Sequence, residues 1–563
     1  MATLFAANGA SATILHAGPD CPVYQDIQSA IDASSSNDIV AIEPGAYTDQ
    51  SLLVTQDLQV LTIAGGYPCD SDTPVVGAST ILSGDSNLPV LWVRGDGVNV
   101  FVNDLIVTLG SPGVNFNGSG YLSLTNTKVN TNNRGISFRP SGAANLILYS
   151  GTLISGNHFA DVGGGVYVSS IDSDGEPVRF YMTPEQTAIT FNSADNGGGG
   201  LAVDGVSARA DLGSPGYHDG GAFFGAISNN QSALNGAGIA ISGGAVVRLF
   251  STKAGEPVRI EGNGSLDGEL PSGATKAGGG VFIDSGGLCG WGYSISRNKA
   301  RVGSAISSLS SGSSSVQLFR HEAIDVCGPE SATVLGAVDC KEGELCNHID
   351  DNRNQPGFND FTGEIDIRSG FFDAERLVIS GNAPATALFS IVPSTLLNCA
   401  LVGNTVDMSL IQNTDNSSRL VLDGCTIAGN VFTTANTGVV DWHGDVALSR
   451  SLLWQPAQPI ITNERQQTSS AADMVVSSDL RLPTSTHVTI VHDPDFVDAA
   501  GGDYQLRQNS PAVDYAQLGL AGEADVIGHL RGFNATHRTD NQLYDVGAYE
   551  YVGDGIFADG FER

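Results

Sequence analysis

Ile154-Ser-Gly-Asn157 returns through this chain as Ile189-Thr-Phe-Asn192, Ile227-Ser-Asn-Asn230, Ile260-Glu-Gly-Asn263, Ile295-Ser-Arg-Asn298, Ile349-Asp-Asp-Asn352, Ile379-Ser-Gly-Asn382, Leu401-Val-Gly-Asn404 and Ile427-Ala-Gly-Asn430. Nine copies of one short phrase mark a repeat architecture. A glycine element follows several of them, as Gly163-Gly-Gly-Val166, Gly198-Gly-Gly-Leu201, Gly236-Ala-Gly-Ile239, Gly278-Gly-Gly-Val281 and Gly303-Ser-Ala-Ile306. Upstream, Val107, Val129 and Ile154 stand 22 and 25 residues apart and carry the period on without the glycines.

Spacings of 22 to 26 residues fit one coil of three short strands, and those of 33 to 38 between Asn157 and Asn298 fit the same coil with a loop let out. The pattern predicts an all-β parallel β-helix. Each Ile should point inward and stack on the next coil at the inter-strand spacing of roughly 4.8 Å. Each Asn should sit at a bend, where it tolerates left-handed backbone and its amide can bond the Asn of the next coil. Asn157, Asn192, Asn230, Asn263 and Asn298 are therefore expected along one edge. Glycine supplies turns and close backbone approach. The first coil needs a cap. Asp26 ahead of Ile27, Ala30 and Ile31 predicts a short capping helix with Asp26 as N-cap, and Cys21 and Cys69 flank it as a candidate staple.

Composition agrees with this class. Among 563 residues, 71 are Gly and only 15% are charged, against 41% hydrophobic, which favours a turn-rich, strand-rich fold over disorder. The net charge of −34 is spread along the chain and argues against nucleic acid or anionic lipid as partner. No apolar run reaches the length of a membrane-spanning helix. Leu4-Phe5-Ala6-Ala7 and Ala10-Ser11-Ala12 read as the end of an export signal, with a mature start near Thr13. Eight cysteines, without a Cys-x-x-Cys pair, agree with an oxidising compartment.

Asp26-Ile-Gln-Ser-Ala-Ile-Asp-Ala33 with Asp38-Ile-Val-Ala-Ile-Glu-Pro-Gly45-Ala-Tyr47 resembles the opening of bacterial pectin-lyase-like right-handed parallel β-helix proteins. The Ile-x-x-Asn and Gly-Gly-Gly-Val pair is similar to the repeats of polymorphic outer-membrane proteins. Asp493-Pro-Asp-Phe496, Gly502-Asp-Tyr504, Ser510-Pro-Ala-Val-Asp514 and Asp545-Val-Gly-Ala-Tyr-Glu550 resemble, in that order, the choice-of-anchor Q region of such surface proteins, and Ile556-Phe-Ala-Asp-Gly-Phe-Glu562 resembles their short C-terminal tail. The resemblance implies a right-handed solenoid and a place outside the cell. It implies no single activity, because the superfamily includes lyases, hydrolases, esterases and adhesins. The chain lacks the Arg-x-Pro-x-x-Arg segment of pectate lyases, the Asn-Thr-Asp with Gly-His-Gly of polygalacturonases, and the Gly-x-x-Asp-Phe-Ile-Phe-Gly phrase of pectin methylesterases.

Five constellations could carry chemistry. If 440–445 is one strand with Val440 and Trp442 inward, then Asp441, His443 and Asp445 share the outward face, able to bind a metal or exchange protons; a solvated strand face is the simpler reading. Asp350-Asp351 reads as turn chemistry beside Ile349, because strand neighbours point to opposite faces. Asp493, Asp495, Asp498 and Asp503 could offer oxygen ligands to Ca²⁺, without the spacing of an EF-hand. Cys399 and Cys425 precede Leu401 and Ile427 by two residues each and should stack inward on adjacent coils, bridged or reduced. Cys289, Cys327, Cys340 and Cys346 bracket an insertion and allow three pairings.

The organisation expected is an export-signal remnant at 1–12, a β-helix at 13–485 with a knob near 307–348, a C-terminal cap at 486–551 and a tail at 552–563. The expected function is non-enzymatic recognition, adhesin-like or matrix-forming, of a glycan or cell-surface ligand by a secreted or cell-surface protein. No catalytic residue is assigned, and Ca²⁺ is the one cofactor considered. The alternative is a polysaccharide lyase or glycoside hydrolase acting in a lateral groove, which would gather acidic or basic residues over three or four adjacent coils.

Overall fold

The computed structural model describes residues 12–57, 59–183, 186–213, 226–251, 257–264, 277–308, 314–318, 347–354, 363–383, 387–390, 392–413, 418–434, 438–456, 458–462, 469–477, 484–517, 524–532 and 544–553. The export-signal reading and the final tail lie outside them. The described chain is all-β apart from one helix, Ile27–Ala33, and one 3-10 turn, Ala499–Gly501. It divides into two compact units, the first essentially residues 1–232 and the second from 233 onward, with a short exchange near 242–245.

Each unit is a parallel β-solenoid in which a coil contributes three strands. In the first unit, one coil comprises Ala144–Leu148, Leu153–Ser155 and Val166–Ser169, each pairing in parallel with its counterpart one coil on: Val178–Met182, Ala188–Thr190 and Leu201–Asp204. The second strand carries the Ile of the repeat. Val107, Val129, Ile154, Ile189 and Ile227 are in register and buried in the first unit. In the second unit, Ile260, Ile295, Ile349, Ile379, Leu401, Ile427 and Leu453 form the same kind of column. Phe116 and Phe138 continue the inward stacking on the third strand, with ring centroids 4.8 Å apart.

The asparagines form the expected ladders, within each unit. In the first, the backbone N–H and Nδ2 of Asn132 both donate to Asn157 Oδ1 (2.9 and 3.0 Å), those of Asn157 to Asn192 Oδ1 (3.1 and 2.8 Å), and those of Asn192 to Asn230 Oδ1 (3.0 and 3.1 Å). The second repeats this from Asn263 through Asn298, Asn352, Asn382, Asn404 and Asn430 to Gln455. Nδ2 also donates to the carbonyl of the inward residue one coil back, as Asn192 does to Ile154 and Asn404 to Ile379, both at 2.9 Å.

One expectation is corrected. The left-handed residue is the one before each asparagine, not the asparagine: Gly156, Phe191, Asn229, Gly262, Arg297, Asp351, Gly381, Gly403 and Gly429 all have φ between 49° and 65°. The asparagines are there for their amides. Five of those nine positions are glycine, which takes this conformation without the Cβ cost. The Gly-Gly-Gly element has a different cause: a Cβ on Gly164 would stand 2.0 Å from the carbonyl oxygen of Ser193 on the next coil.

The helix Ile27–Ala33 begins as expected at Asp26, whose carboxylate accepts the Ser29 N–H at 2.9 Å, and it buries Ile27, Ala30 and Ile31. Gln28 exchanges two hydrogen bonds with the backbone of Leu53, 3.0 and 2.8 Å, and so covers the edge of the strand Leu52–Val54, which among the described residues pairs only with Leu91–Val93. Cys21 and Cys69 are joined, with Cα atoms 5.0 Å apart.

In the second unit the parallel ladder runs on to Thr484–Ile490. The following segment, expected as a cap, lies against the side of the coils: Phe496, Tyr504, Leu506, Val526, Val546, Ala548 and Tyr549 pack on the outward residues Val378, Ala400, Val402, Ala428 and Leu452. Ala548 N–H donates to Thr426 Oγ1 and Gly547 N–H to the Arg450 carbonyl, both at 2.8 Å.

The ladder is expected to dominate stability. Asn192→Ala removes the acceptor of two buried donors on Asn157, and a denaturation series should show a loss of about 2–5 kcal/mol. Gly403→Ala, whose new Cβ meets nothing within 4 Å, should cost only the left-handed backbone penalty, about 1–2 kcal/mol.

Candidate ligand-binding face

On the first strands of the first unit, alternation sends one set of residues inward and the other outward. Val98, Val100 and Val102, then Leu122 and Leu124, Leu146 and Leu148, Phe180 and Met182 fill the interior. The outward partners fall into two rows set by the register. One runs Asn99, Tyr121, Asn145, Arg179, Arg209; the other runs Phe101, Ser123, Ile147, Tyr181, Asp211. Successive members of a row are one coil apart, roughly 4.8 Å.

Part of this face is concave. Asn99, Tyr121, Asn145, Pro177, Arg179 and Tyr181, with Gly120, Ala143 and Ala144, line an open depression of about 400 Å³. The Tyr121 ring packs 5.4 Å from Phe101 at 40°, and the Tyr121 hydroxyl lies 2.9 Å from that of Tyr149, so the ring is held at its face and at its tip. Arg179 forms no hydrogen bond or ion pair with the described residues. The depression thus offers aromatic surface, two side-chain amides and one guanidinium, and among the described residues no carboxylate lines it.

The residues singled out from sequence do not assemble a second site. Val440 and Trp442 do point inward, but the strand ends there: Val440–Trp442 pairs with Ile461–Thr462, whereas Asp445 opens Asp445–Ser449, which pairs with Arg419–Asp423. The expected row of Asp441, His443 and Asp445 is therefore broken by the bend at His443-Gly444, and Asp441 accepts the Thr462 hydroxyl at 3.1 Å. Asp351 is a corner residue, φ 49°, as the turn reading has it. Asp350 lies outward 3.7 Å from His348, and burial pushes the aspartate pKa up and the histidine pKa down.

Asp493, Asp498 and Asp503 each accept a backbone N–H of their own turn, from Asp495 (2.9 Å), Gly501 and Gln505 (both 3.0 Å). They are not gathered with Asp495 into a calcium cage: among the described residues, metal-ligating atoms converge within 4.8 Å only at Cys21, Glu43 and Cys69, where the two sulfurs are bonded to each other. Cys399 and Cys425 are buried and unbridged; Cys399 Sγ donates to the Leu397 carbonyl at 3.2 Å, and burial raises its thiol pKa well above the usual value. Cys289 is disulfide-bonded, and Cys327, Cys340 and Cys346 lie outside the described residues.

Sequence reasoning missed the depression. Its lining residues come from four coils, 22 to 34 residues apart, and share no phrase. It also missed two polar features of the second unit. His487 Nδ1 lies 2.5 Å from Asp473, and its ring stacks on Tyr515 at 4.3 Å, which clasps the last strands to the C-terminal segment. Glu364 is fully buried on the third-strand ladder with the Ser304 hydroxyl as its partner. No family model matches the chain, and no curated protein matches it.

Burial pushes the Glu364 carboxyl from 4.5 up to about 8, so the folded protein keeps a proton that the unfolded chain gives up. Stability conferred by this group is full below about pH 4.5 and drains away as pH rises toward 8, in total on the order of a few kcal/mol. Glu364→Gln should remove that dependence. Thermal midpoints of the two proteins should diverge in favour of the variant between pH 5 and 8, and a pH-independent offset would contradict this assignment.

Proposed function

We propose that this is a secreted or cell-surface β-helix protein that recognises saccharides on the lateral face of its first unit, without chemical turnover. The observation that carries the reading is the depression around Tyr121, Tyr181, Asn99, Asn145 and Arg179. A sugar ring presents an apolar C–H face and a rim of hydroxyls. Aromatic rings suit the first, while amides and a guanidinium suit the second. Repetition of the coil favours a chain-like ligand, because outward positions recur at a fixed step along the face. The Cys21–Cys69 bridge and the bonded state of Cys289 support a place in an oxidising compartment.

Turnover is disfavoured by the donor set. Glycoside hydrolysis commonly uses two carboxyl groups flanking the bond, and none of the described residues that line the depression is a carboxylate. A glycan-array screen should return a defined set of oligosaccharides, and Tyr121→Ala should weaken their binding by roughly tenfold, the scale of one aromatic contact. An array with no binder would end this reading. In parallel, polygalacturonate with excess Ca²⁺ or with EDTA should give no rise in absorbance from an unsaturated product. A calcium-dependent rise lost in Arg179→Gln would favour a lyase instead.

The compartment has its own measurement. Unreduced mass spectrometry of the protein from its native host should find the Cys21–Cys69 peptide pair, Cys289 in a second bridge and a mature start near Thr13. Free thiols at these positions would refute export.

A further inference from the structure

We infer that the last strand of the second unit, Thr484–Ile490, is a docking edge for a second copy of this chain, which pairs with it edge to edge across a twofold axis and closes a dimer. The inference is independent of the saccharide reading above.

The first support is an edge that the described chain leaves open. Thr484–Ile490 ends the parallel ladder, and among the described residues it pairs with Ser470–Val476 alone. The backbone N–H of Val491 turns back to the Val476 carbonyl at 2.8 Å. Successive N–H groups along a strand point to opposite sides, so those of Ile490 and Val488 face the open side. The side chains agree. Ile427, Leu453, Val476 and Ile490 stand in register on one inward column. The first three are fully buried, whereas Ile490 is 51% exposed. The described part of the following segment packs on the side of the coils. There Tyr515 stacks on His487 and its hydroxyl lies 2.8 Å from that of Thr489, which holds the strand by its outward side chains.

The second support is the chemistry of the edge. Open edges are ordinarily blunted by Lys, Pro, a bulge or an inward-pointing charge. Thr484-Ser-Thr-His-Val-Thr-Ile490 has no Lys, Pro, Asp or Glu, and five of its seven residues are β-branched, which suits strand pairing. Its one ionisable side chain, His487, is engaged by Asp473 at 2.5 Å. The left-handed His487 (φ 53°) is no bulge: it lies beside an equally left-handed Asp473 (φ 51°), with the register kept on both sides of the corner. Each chain carries a net charge of −34, so two copies can meet only where acid is sparse, and no Asp or Glu occurs between Asp479 and Asp493.

The third support selects the occupant. The N-terminal end of the first unit carries its own cover. The helix Ile27–Ala33 packs there on Ile14–Ala17, Ile39–Ile42 and Leu52–Val54, and Tyr24 bridges to Ala17 beside the first strand. The open edge therefore meets its like and not the opposite end. A twofold relation between two like edges runs the strands antiparallel and stops assembly at two copies. A seven-residue edge with one large apolar side chain buries less than a standard interface of about 1,600 Å², so a dissociation constant in the micromolar range is expected. Raising the salt from 0.01 to 0.1 M shortens the Debye length from about 30 to about 10 Å and should tighten the dimer, because it screens the repulsion between two acidic chains.

Sedimentation velocity of the full chain from about 1 to about 100 μM, a range that brackets a micromolar constant, tests this together with hydrogen exchange of peptide 484–490. The mass should rise to that of two chains and stop there, and exchange of the peptide should slow as it does. Ile490→Lys and, separately, Ser485→Lys alter exposed positions and set like charges against each other at the edge, so each should raise the dissociation constant at least about tenfold. Val206→Lys, at a position 81% exposed in the first unit, should leave it unchanged. A monomer at every concentration, or a dimer indifferent to both edge variants, overturns the inference. So does a mass that keeps growing beyond two chains, or protection of peptide 484–490 that is the same at all concentrations, which would assign the edge to the chain's own remaining segments.

Discussion

A buried asparagine amide that hydrogen-bonds its own image on the next coil is the interaction on which the rest of each unit depends. Its Oδ1 takes two donors from one neighbour, and its Nδ2 gives to the other neighbour and to the carbonyl of an inward residue. A primary amide has this many sites and no more in such a corner, so the group is fully satisfied without water. A repeat built on it is restricted in register, because sliding one coil by a residue would leave two donors and an acceptor unpaired in the interior. Aspartate could accept but not donate, and alanine could do neither. The ladder thereby fixes which residues of each coil face in, and by alternation which face out.

The corner geometry has a consequence for the residue before each asparagine. Turning the chain into the ladder position requires left-handed backbone one residue earlier, and glycine is the common solution. Phe191 and Arg297 hold the same conformation with full side chains, and Phe191 is 62% exposed. Nothing in the packing explains a phenylalanine there.

The repeat, the inward Ile column, the ladder, the helix with its Asp26 cap and the Cys21–Cys69 staple were legible because each is periodic or local. The left-handed position was misplaced by one residue, since both the Asn and its predecessor tolerate that conformation and spacing cannot separate them. The break after Trp442 was hidden because a two-residue corner leaves the alternation of Val440 and Trp442 intact. The course of the C-terminal segment was illegible for a different reason. Asp493, Asp498 and Asp503 look like part of a ligand set, yet each accepts a backbone N–H of its own turn, and farther along Asp545 accepts from Asp514 and Tyr551, and Asp525 from Ile527, His529 and Glu550.

The two units use their outward positions differently, and this separates structural faces from free ones. In the second unit the outward residues of the second strands are Val378, Ala400, Val402, Ala428 and Leu452, small or apolar, and the chain covers them with its own C-terminal segment. In the first unit one outward row of the first strands is Asn99, Tyr121, Asn145, Arg179 and Arg209, beside a second row of Phe101, Ser123, Ile147, Tyr181 and Asp211, and parts of both line an open depression. A ladder that satisfies itself inside the solenoid places no demand on what stands outside it. Outward side chains are then constrained by whatever touches them, which in the second unit is the protein's own apolar surface. Where none of the described segments covers the face, tyrosines, side-chain amides and an arginine stand outward, and their chemistry alone sets what they can meet: ring faces for apolar surface, amides and a guanidinium for hydrogen-bonding groups.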